Sequence, residues 1–305
     1  MSQRTKGFLL VLISALSFSI LPIIGKIAYS MGISPLNLLA WRFVTAAFAI
    51  WLISPFLVGK RLIVKKVDLL HFVLQGIIGY GFASIGFFTA LTYLNASLVS
   101  ILLYLYPSLV TIFASVVFKE RLTKHRLAVL IITFIGSLLV TNIFQATSSP
   151  IVWRGILWGI LSAVAYSVFN LYSQKTTANA HPLVVSTYSL TAMAVFFVLL
   201  APREEFLNTN PKGIAIAGII GIVCTILPIV SYLAGIKLIG AGKAAIISTF
   251  EPAFTIILAF VFLKESLTLL QTLGALLIFG GVLALQFSKT AAREVQLEDQ
   301  QNIGL

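Results

Sequence analysis

Long runs of apolar residues, each about the length needed to cross a lipid bilayer, recur from one end of the chain to the other. A helix that spans the hydrocarbon core needs ~20 consecutive apolar residues. Ten runs meet this condition, and short polar segments separate them. The runs predict helices at 7–29, 36–58, 69–92, 96–118, 127–144, 153–173, 182–201, 213–236, 243–263 and 270–288. The pattern therefore predicts an all-α membrane protein with ten transmembrane helices.

The composition excludes a water-soluble fold. Of the 305 residues, 59% are hydrophobic and only 10% are charged, whereas soluble domains are about one quarter charged. The first apolar run follows Arg4 and Lys6, as a signal peptide would. That run is too long for a signal peptide and lacks a convincing cleavage site. We therefore expect residues 7–29 to remain as the first spanning helix.

The net charge of +12 raises the question of a nucleic-acid partner. If the N-terminus lies in the cytoplasm, 15 of the 21 Lys and Arg residues fall in segments on the cytoplasmic side of the membrane, and 4 fall in loops on the outer side. The other 2, Lys26 and Arg42, lie within helices. Cytoplasmic loops of membrane proteins are enriched in Lys and Arg. The basic surplus therefore predicts cytoplasmic N- and C-termini in an inner membrane, and no nucleic-acid partner is expected.

An internal repeat divides the chain into two halves. The pentapeptide KERLT at 119–123 returns as KESLT at 264–268, 145 residues later, and Pro107 aligns with Pro252 at the same offset. An offset of 148 relates the first and sixth helices through Ser14 and Ser162. The predicted units are a first five-helix repeat at 1–148, a second at 149–288 and a polar cytoplasmic tail at 289–305.

Charge predicts that the two repeats are inverted. A repeat of five helices is odd in number, so the second repeat must enter the membrane in the opposite sense to the first. The loop at 119–126 carries four basic residues, whereas its counterpart at 264–271 keeps only Lys264. This contrast is expected if the first loop is cytoplasmic and the second is not. Inverted repeats are typical of transporters that alternate access to a central site.

The chain resembles EamA-type members of the drug/metabolite transporter superfamily from Gly7 to about Phe287. The residues that carry the resemblance are Lys26, Arg42 with Phe43, Pro107 followed by KERLT, and Glu251 with Pro252 followed by KESLT. The resemblance implies a ten-helix permease with both termini cytoplasmic, and it implies export. It does not name the substrate, because members of the family carry amino acids, sugars, nucleobases and cationic compounds.

Three ionisable residues lie within predicted spans, where a charge costs about 2.5–3.5 kcal/mol on insertion scales. Lys26 lies near the outer end of helix one and either contacts substrate or extends to the outer headgroups. Arg42, two turns into helix two, either contacts substrate or anchors helix-end carbonyls or lipid phosphate. Glu251 lies near the middle of helix nine. It either exchanges a proton during transport or remains a protonated acid bonded to carbonyls near Pro252. A pairing of Arg42 with Glu251 is a further possibility.

Prolines and polar residues predict the walls of a central site. Pro22, Pro107, Pro228 and Pro252 are expected to interrupt helices one, four, eight and nine, which frees backbone carbonyls. Polar and aromatic residues recur every four residues in helices one and six, on matching faces. Gly76, Gly79, Gly155 and Gly159 are expected to let helices approach closely. The candidate substrate-binding residues are Phe18, Lys26, Trp41, Arg42, Tyr80, Tyr106, Tyr166, Asn170, Tyr232 and Glu251.

Two other classes of function compete with a transporter. A membrane-embedded enzyme needs a catalytic or metal-binding constellation, but the three histidines are isolated and no nucleophile-elbow serine is present. A membrane sensor or partner subunit would need a soluble domain, and the loops are short. The sequence therefore predicts a secondary transporter or facilitative permease for a small polar or amphipathic metabolite. We expect no cofactor, no metal and no partner other than the substrate and the lipid bilayer, in a monomer or homodimer.

Overall fold

The computed structural model describes residues 2–117, 150–241, 250–265 and 267–286, with isolated positions between 127 and 139 and between 244 and 248. Several predicted features lie outside the described residues. They are the loop at 119–126, most of the helix at 127–144 and the tail at 289–305.

The described residues form helices and contain no strand. The first part of the chain has seven α-helices: α1 Gln3–Ser19, α2 Leu21–Ser30, α3 Pro35–Val58, α4 Lys66–Leu74, α5 Phe82–Tyr93, α6 Ala96–Leu103 and α7 Tyr106–Val117. The second part also has seven: α8 Pro150–Asn179, α9 Pro182–Leu200, α10 Arg203–Leu207, α11 Pro211–Gly221, α12 Leu227–Ile239, α13 Phe250–Leu258 and α14 Leu269–Gln286. A 3-10 turn at Gly59–Leu62 follows α3. Three π-helical segments, Gln75–Gly81, Ile222–Ile226 and Ala259–Leu263, join or extend the α-helices.

Six stretches of the described chain are long and apolar enough to cross a membrane. They are Gln3–Ser30, Pro35–Leu62, Lys66–Tyr93, Ile151–Asn179, Pro182–Leu200 and Pro211–Ile239, and shorter apolar helices accompany them. Their outward faces expose large apolar side chains, with Phe56 89% and Leu199 79% accessible. Lipid, unlike water, solvates such a surface without cost. The prediction of an all-helical membrane protein is thus confirmed.

Each of the four prolines expected to disturb a helix follows an interruption of the regular α-helical pattern, so this prediction is confirmed. Helix α1 ends just before Pro22, and α6 ends just before Pro107. The π-helical segment Ile222–Ile226 precedes Pro228, and Pro252 lies in the first turn of α13. Proline is tolerated in the first turn of a helix because the backbone N–H there has no intrahelical acceptor. Each proline therefore starts a new helical segment within the membrane.

Glycines allow the long helices to pack closely, as the sequence predicted. A Cβ atom at Gly79 would lie 2.8 Å from the backbone of Phe169. A Cβ atom at Gly155 would lie 2.6 Å from the Leu94 side chain. These contacts pack α5 and its preceding segment antiparallel to α8. Helices α1 and α12 pack in the same antiparallel manner, and α3 packs against α9.

Contacts between loops agree with the alternation of predicted inner and outer segments. Among the predicted outer segments, the Ser34 hydroxyl donates a hydrogen bond to Glu205 Oε2 over 2.5 Å. Among the predicted inner segments, Lys237 Nζ donates to the Ala180 carbonyl over 3.1 Å. Outer loops thus meet outer loops, and inner loops meet inner loops.

Candidate functional site

A cavity of about 410 Å³, part of which is open to the surroundings, lies among the described helices, and we call it the central cavity. It is lined by Phe18, Leu21, Arg42, Tyr80, Ala83, Ser84, Phe87, Phe88, Leu103, Ser162, Tyr166 and Glu251. The lining comes from α1, α2, α3, α5, α6, α8, α13 and the π-helical segment before α5. Both parts of the chain therefore contribute to one cavity.

Helix irregularities border this cavity. The break between α1 and α2 falls between Phe18 and Leu21, and Leu103 ends α6 at the next break. Tyr80 belongs to the π-helical segment Gln75–Gly81. A π-helical turn rotates the side chains that follow it out of the regular α-helical register, and such turns are frequent at functional sites. The breaks therefore determine which side chains face the cavity.

Arg42 is fully buried and is held by neutral partners. Its Nε donates to Thr225 Oγ1 over 2.7 Å, and its Nη2 donates to the Tyr80 hydroxyl over 2.9 Å. The guanidinium carbon lies 4.9 Å from the centre of the Phe43 ring and 5.4 Å from that of Phe88. Arginine stays protonated in proteins. The cavity therefore contains a fixed positive charge that its protein partners do not neutralise.

Glu251 supplies a carboxyl group to the same cavity. The Tyr104 hydroxyl donates to Glu251 Oε2 over 2.9 Å and also contacts the carbonyl of Ser248. Tyr104 lies in the break between α6 and α7. Arg42 and Glu251 line one cavity, but their hydrogen bonds in the described structure go to other residues. The direct pairing considered from sequence is not formed.

A cluster of tyrosines forms the wall around Tyr166. The ring centroids of Tyr166 and Tyr106 are 4.8 Å apart in an edge-on arrangement, and those of Tyr166 and Tyr80 are 6.1 Å apart. The Tyr232 hydroxyl donates to Asn170 Oδ1 over 2.5 Å, while Asn170 Nδ2 donates to the Tyr166 carbonyl over 2.8 Å. Tyr106, Asn170 and Tyr232 are buried, and they support Tyr166 from behind rather than line the cavity.

Two further candidate residues, Trp41 and Lys26, are also not part of the cavity lining. Trp41 stacks on Phe206 with ring centroids 4.6 Å apart, and its Nε1 donates to Thr209 Oγ1 over 3.1 Å. It therefore joins α3 to the α10 segment. Lys26 is half-buried in α2 and interacts electrostatically with Glu265.

Glu265 belongs to the second copy of the repeated pentapeptide and caps α6. Its carboxylate accepts hydrogen bonds from the backbone N–H groups of Ala96, over 2.9 Å, and Ser97, over 3.1 Å. A carboxylate at a helix N-terminus satisfies N–H groups that have no intrahelical acceptor and complements the helix dipole. The repeated motif thus has a structural role at this end of the bundle.

Sequence reasoning missed Ser84, which lines the cavity, and two polar residues that hold its charged side chains. Tyr104 contacts Glu251, and Thr225 holds Arg42. For Tyr104 a signal existed, because it lies three residues before Pro107, where a helix break was expected. Thr225 carried the same signal, because it lies three residues before Pro228, and the π-helical segment Ile222–Ile226 that contains it precedes that proline.

Comparison with known proteins gives a consistent result. The profile of the EamA-like transporter family matches residues 5–142 and again 153–287. The uncharacterized transporter YyaM of Bacillus subtilis is 28% identical over 267 residues, which cover 84% of this chain and 86% of YyaM. The uncharacterized transporter YcbK of the same organism is 26% identical over 299 residues, covering 94% and 95%.

One solved crystal structure has the same fold. It aligns with a TM-score of 0.67 at 19% identity and covers 95% of this chain and 98% of that chain. At this identity the likeness concerns the fold alone. The two family matches together span most of the sequence, and the described helices are apolar enough to cross a bilayer. The chain therefore belongs to the EamA-like transporter family and is a multi-pass membrane protein.

Proposed function

We propose that this protein is a secondary transporter that exports a small amphipathic metabolite by alternating access to the central cavity. The observation that carries the proposal is the cavity itself, in which Arg42 and Glu251 face the same empty space from different parts of the chain. Ionisable groups inside a membrane protein typically mark substrate or ion pathways, because burying them there without a function is unfavourable.

The substrate class follows from the chemistry of the lining. One end of a substrate can bind the guanidinium of Arg42, which suits a carboxylate. Another part can bind the carboxyl group of Glu251, which suits an amine. The remaining wall contains Phe18, Phe87 and Phe88. We therefore propose a zwitterion with an apolar side chain, such as a hydrophobic amino acid.

The proposed mechanism uses two inverted five-helix repeats. In support, the family profile matches the chain twice, and the π-helical segments before α5 and α12 begin at Gln75 and Ile222, 147 residues apart. The close pairs α1 with α12 and α5 with α8 exchange under the same offset. Such symmetry lets one structure adopt inward-open and outward-open forms of similar energy. In this mechanism the protein lies in the inner membrane, and both of its termini face the cytoplasm.

Glu251 is the proposed site of proton coupling. When the carboxylate is ionised, the Tyr104 hydroxyl donates to it. When it is protonated, its own O–H can donate to the Tyr104 oxygen, while the Tyr104 hydroxyl donates to the Ser248 carbonyl. Both protonation states therefore find partners without rearrangement, which is what reversible proton exchange requires. A substrate amine and a proton would compete for this carboxyl group.

The experiment is flux in reconstituted vesicles, with and without a pH gradient. Apolar amino acids should be transported better than their N-acetyl and amide analogues, each of which lacks one charge. We expect transport of the zwitterion and at least tenfold less of either analogue, since each lost ion pair costs more than about 1.4 kcal/mol. Equal transport of all three compounds, or none of any of them, would contradict the proposal.

A further inference from the structure

A second pocket, of about 1010 Å³ including its open mouth, lies at one end of the bundle and shares no lining residue with the central cavity. It forms where α8 and α12 end and where α4 and α9 begin. Three cations line it, Arg61, Lys65 and Lys237, together with one carboxylate, Asp68. Within the described residues Asp68 makes no ion pair with them. The pocket is therefore strongly electropositive.

Two further observations show that these positive charges act on the same space. His181 also lines the pocket. Burial lowers the pKa of its imidazole, and the charges of Arg61 and Lys237 lower it further. In addition, helices α4 and α9 both begin here, with Lys65 and His181 as their N-caps. Helix N-termini carry partial positive charge and attract anions.

The surroundings of the pocket indicate the source of the anion. Ile63 lines the pocket and is 84% exposed. The last turns of α3, immediately before the pocket, expose the apolar side chains of Phe56 and Leu57. The pocket therefore opens where the lipid-facing surface of α3 ends, at the level of the headgroups. A soluble anion would gain no binding free energy from the apolar residues at the rim of the pocket.

We propose that this pocket binds the phosphate headgroup of an anionic phospholipid from the adjacent leaflet. Arg61, Lys65 and Lys237 surround the phosphate, and Ile63 contacts the first methylene groups of an acyl chain. Lys237 Nζ already donates one hydrogen bond to the Ala180 carbonyl, which leaves two of its three protons for the ligand. The bound lipid links the α3–α4 connection to the ends of α8 and α12.

The test measures binding of phosphatidylglycerol, phosphatidylcholine and inorganic phosphate to the purified full-length protein in detergent, by native mass spectrometry and thermal unfolding. Phosphatidylglycerol should bind more tightly than phosphatidylcholine. A basic residue near an anionic lipid contributes a factor of about five in affinity. The Arg61→Gln, Lys65→Gln, Lys237→Gln triple variant should therefore bind phosphatidylglycerol about a hundredfold more weakly. The single Lys237→Gln variant should show about a fivefold loss if the triple variant does not fold.

The matched control is the Arg203→Gln, Lys212→Gln double variant, which removes exposed cations from the predicted outer segments and should bind phosphatidylglycerol normally. Lipid binding that is equal for phosphatidylglycerol and phosphatidylcholine would overturn the proposal. It would also be overturned if inorganic phosphate at millimolar concentration displaced the lipid completely, since the site would then serve a soluble anion. The proposal would also be overturned if the control variant lost phosphatidylglycerol binding to the same extent as the triple variant.

Discussion

Replacement of Glu251 by glutamine separates proton coupling from a structural role. The amide has nearly the shape of the acid, and its oxygen can still accept the hydrogen bond from the Tyr104 hydroxyl. Folding should therefore be retained. The amide cannot ionise, so it cannot exchange a proton on the transport cycle. A structural role predicts normal flux for this variant, whereas a coupling role predicts loss of pH-driven transport alone.

The size of the effect follows from the cavity lining, which contains a single acidic side chain among the described residues. One carboxyl group can exchange one proton per cycle. A gradient of one pH unit supplies about 1.4 kcal/mol per proton, which supports an accumulation ratio of about ten. The unchanged protein should therefore concentrate substrate about tenfold across such a gradient, while Glu251→Gln should reach a ratio of about one.

The assay compares net accumulation with substrate exchange in the same vesicles. Glu251→Gln should lose accumulation but keep part of the exchange of internal for external substrate, because exchange needs no net proton movement. Glu204→Gln is the control, since Glu204 is exposed in α10, and it should accumulate substrate normally. If a well-folded Glu251→Gln protein kept the pH dependence of the unchanged protein, the coupling hypothesis would be refuted.

Three further predictions concern binding, the cavity wall and topology. Arg42→Gln should raise the apparent KM for carboxylate substrates at least thirtyfold, because about 2 kcal/mol or more of charge-assisted binding is lost. If the role of Arg42 were purely structural, the replacement would lower thermal stability and leave KM unchanged. Asn170→Leu should reduce flux more than the amount of folded protein. It should lower the free energy of unfolding by about 1–3 kcal/mol, because the Tyr232 hydroxyl loses its 2.5 Å hydrogen bond to Asn170 and is left with the longer 3.5 Å contact to the Tyr106 hydroxyl. Normal transport by this variant would show that the wall does not depend on Asn170. In a Cys224→Ser background, single cysteines at Lys65 and Asn208 should react with impermeant reagents from opposite sides of the membrane, and labelling of both from one side would exclude the ten-helix inverted topology.

The charged residues of the cavity could be predicted from sequence because they are rare and costly inside apolar runs. Arg42 and Glu251 were identified on that ground and through the family resemblance, and both line the cavity, whereas Lys26, identified in the same way, does not. Trp41 was also a candidate and directly precedes Arg42, but successive residues on an α-helix point about 100° apart. Its ring accordingly stacks on Phe206 instead. Whether these residues contact substrate stays a prediction.

The breaks in the helices could be predicted only in part. Proline indicates that a helix is interrupted nearby, since its ring and missing N–H act on the preceding turn. It does not indicate which side chain the interruption turns inward. Tyr106 was a candidate because it aligns with Glu251 at the repeat offset of 145, whereas Tyr104 is the residue that contacts Glu251. The π-helical segments Gln75–Gly81 and Ala259–Leu263 have no proline after them and so leave no such marker in the sequence. Their positions depend on tertiary packing, which a single sequence does not specify.

The close contacts at glycine determine which helices can move together. Helix α1 packs on α12 with Gly235 against Val11, and α5 packs on α8 with Gly86 against the backbone of Ser162. Backbones this close cannot slide past one another without a clash. Each pair combines one helix from either half of the chain, so the moving bodies of the transport cycle should be mixed bundles rather than the two halves. A disulfide between α5 and α8 should then leave flux intact. A disulfide that joins the α1–α12 pair to the α5–α8 pair should stop flux.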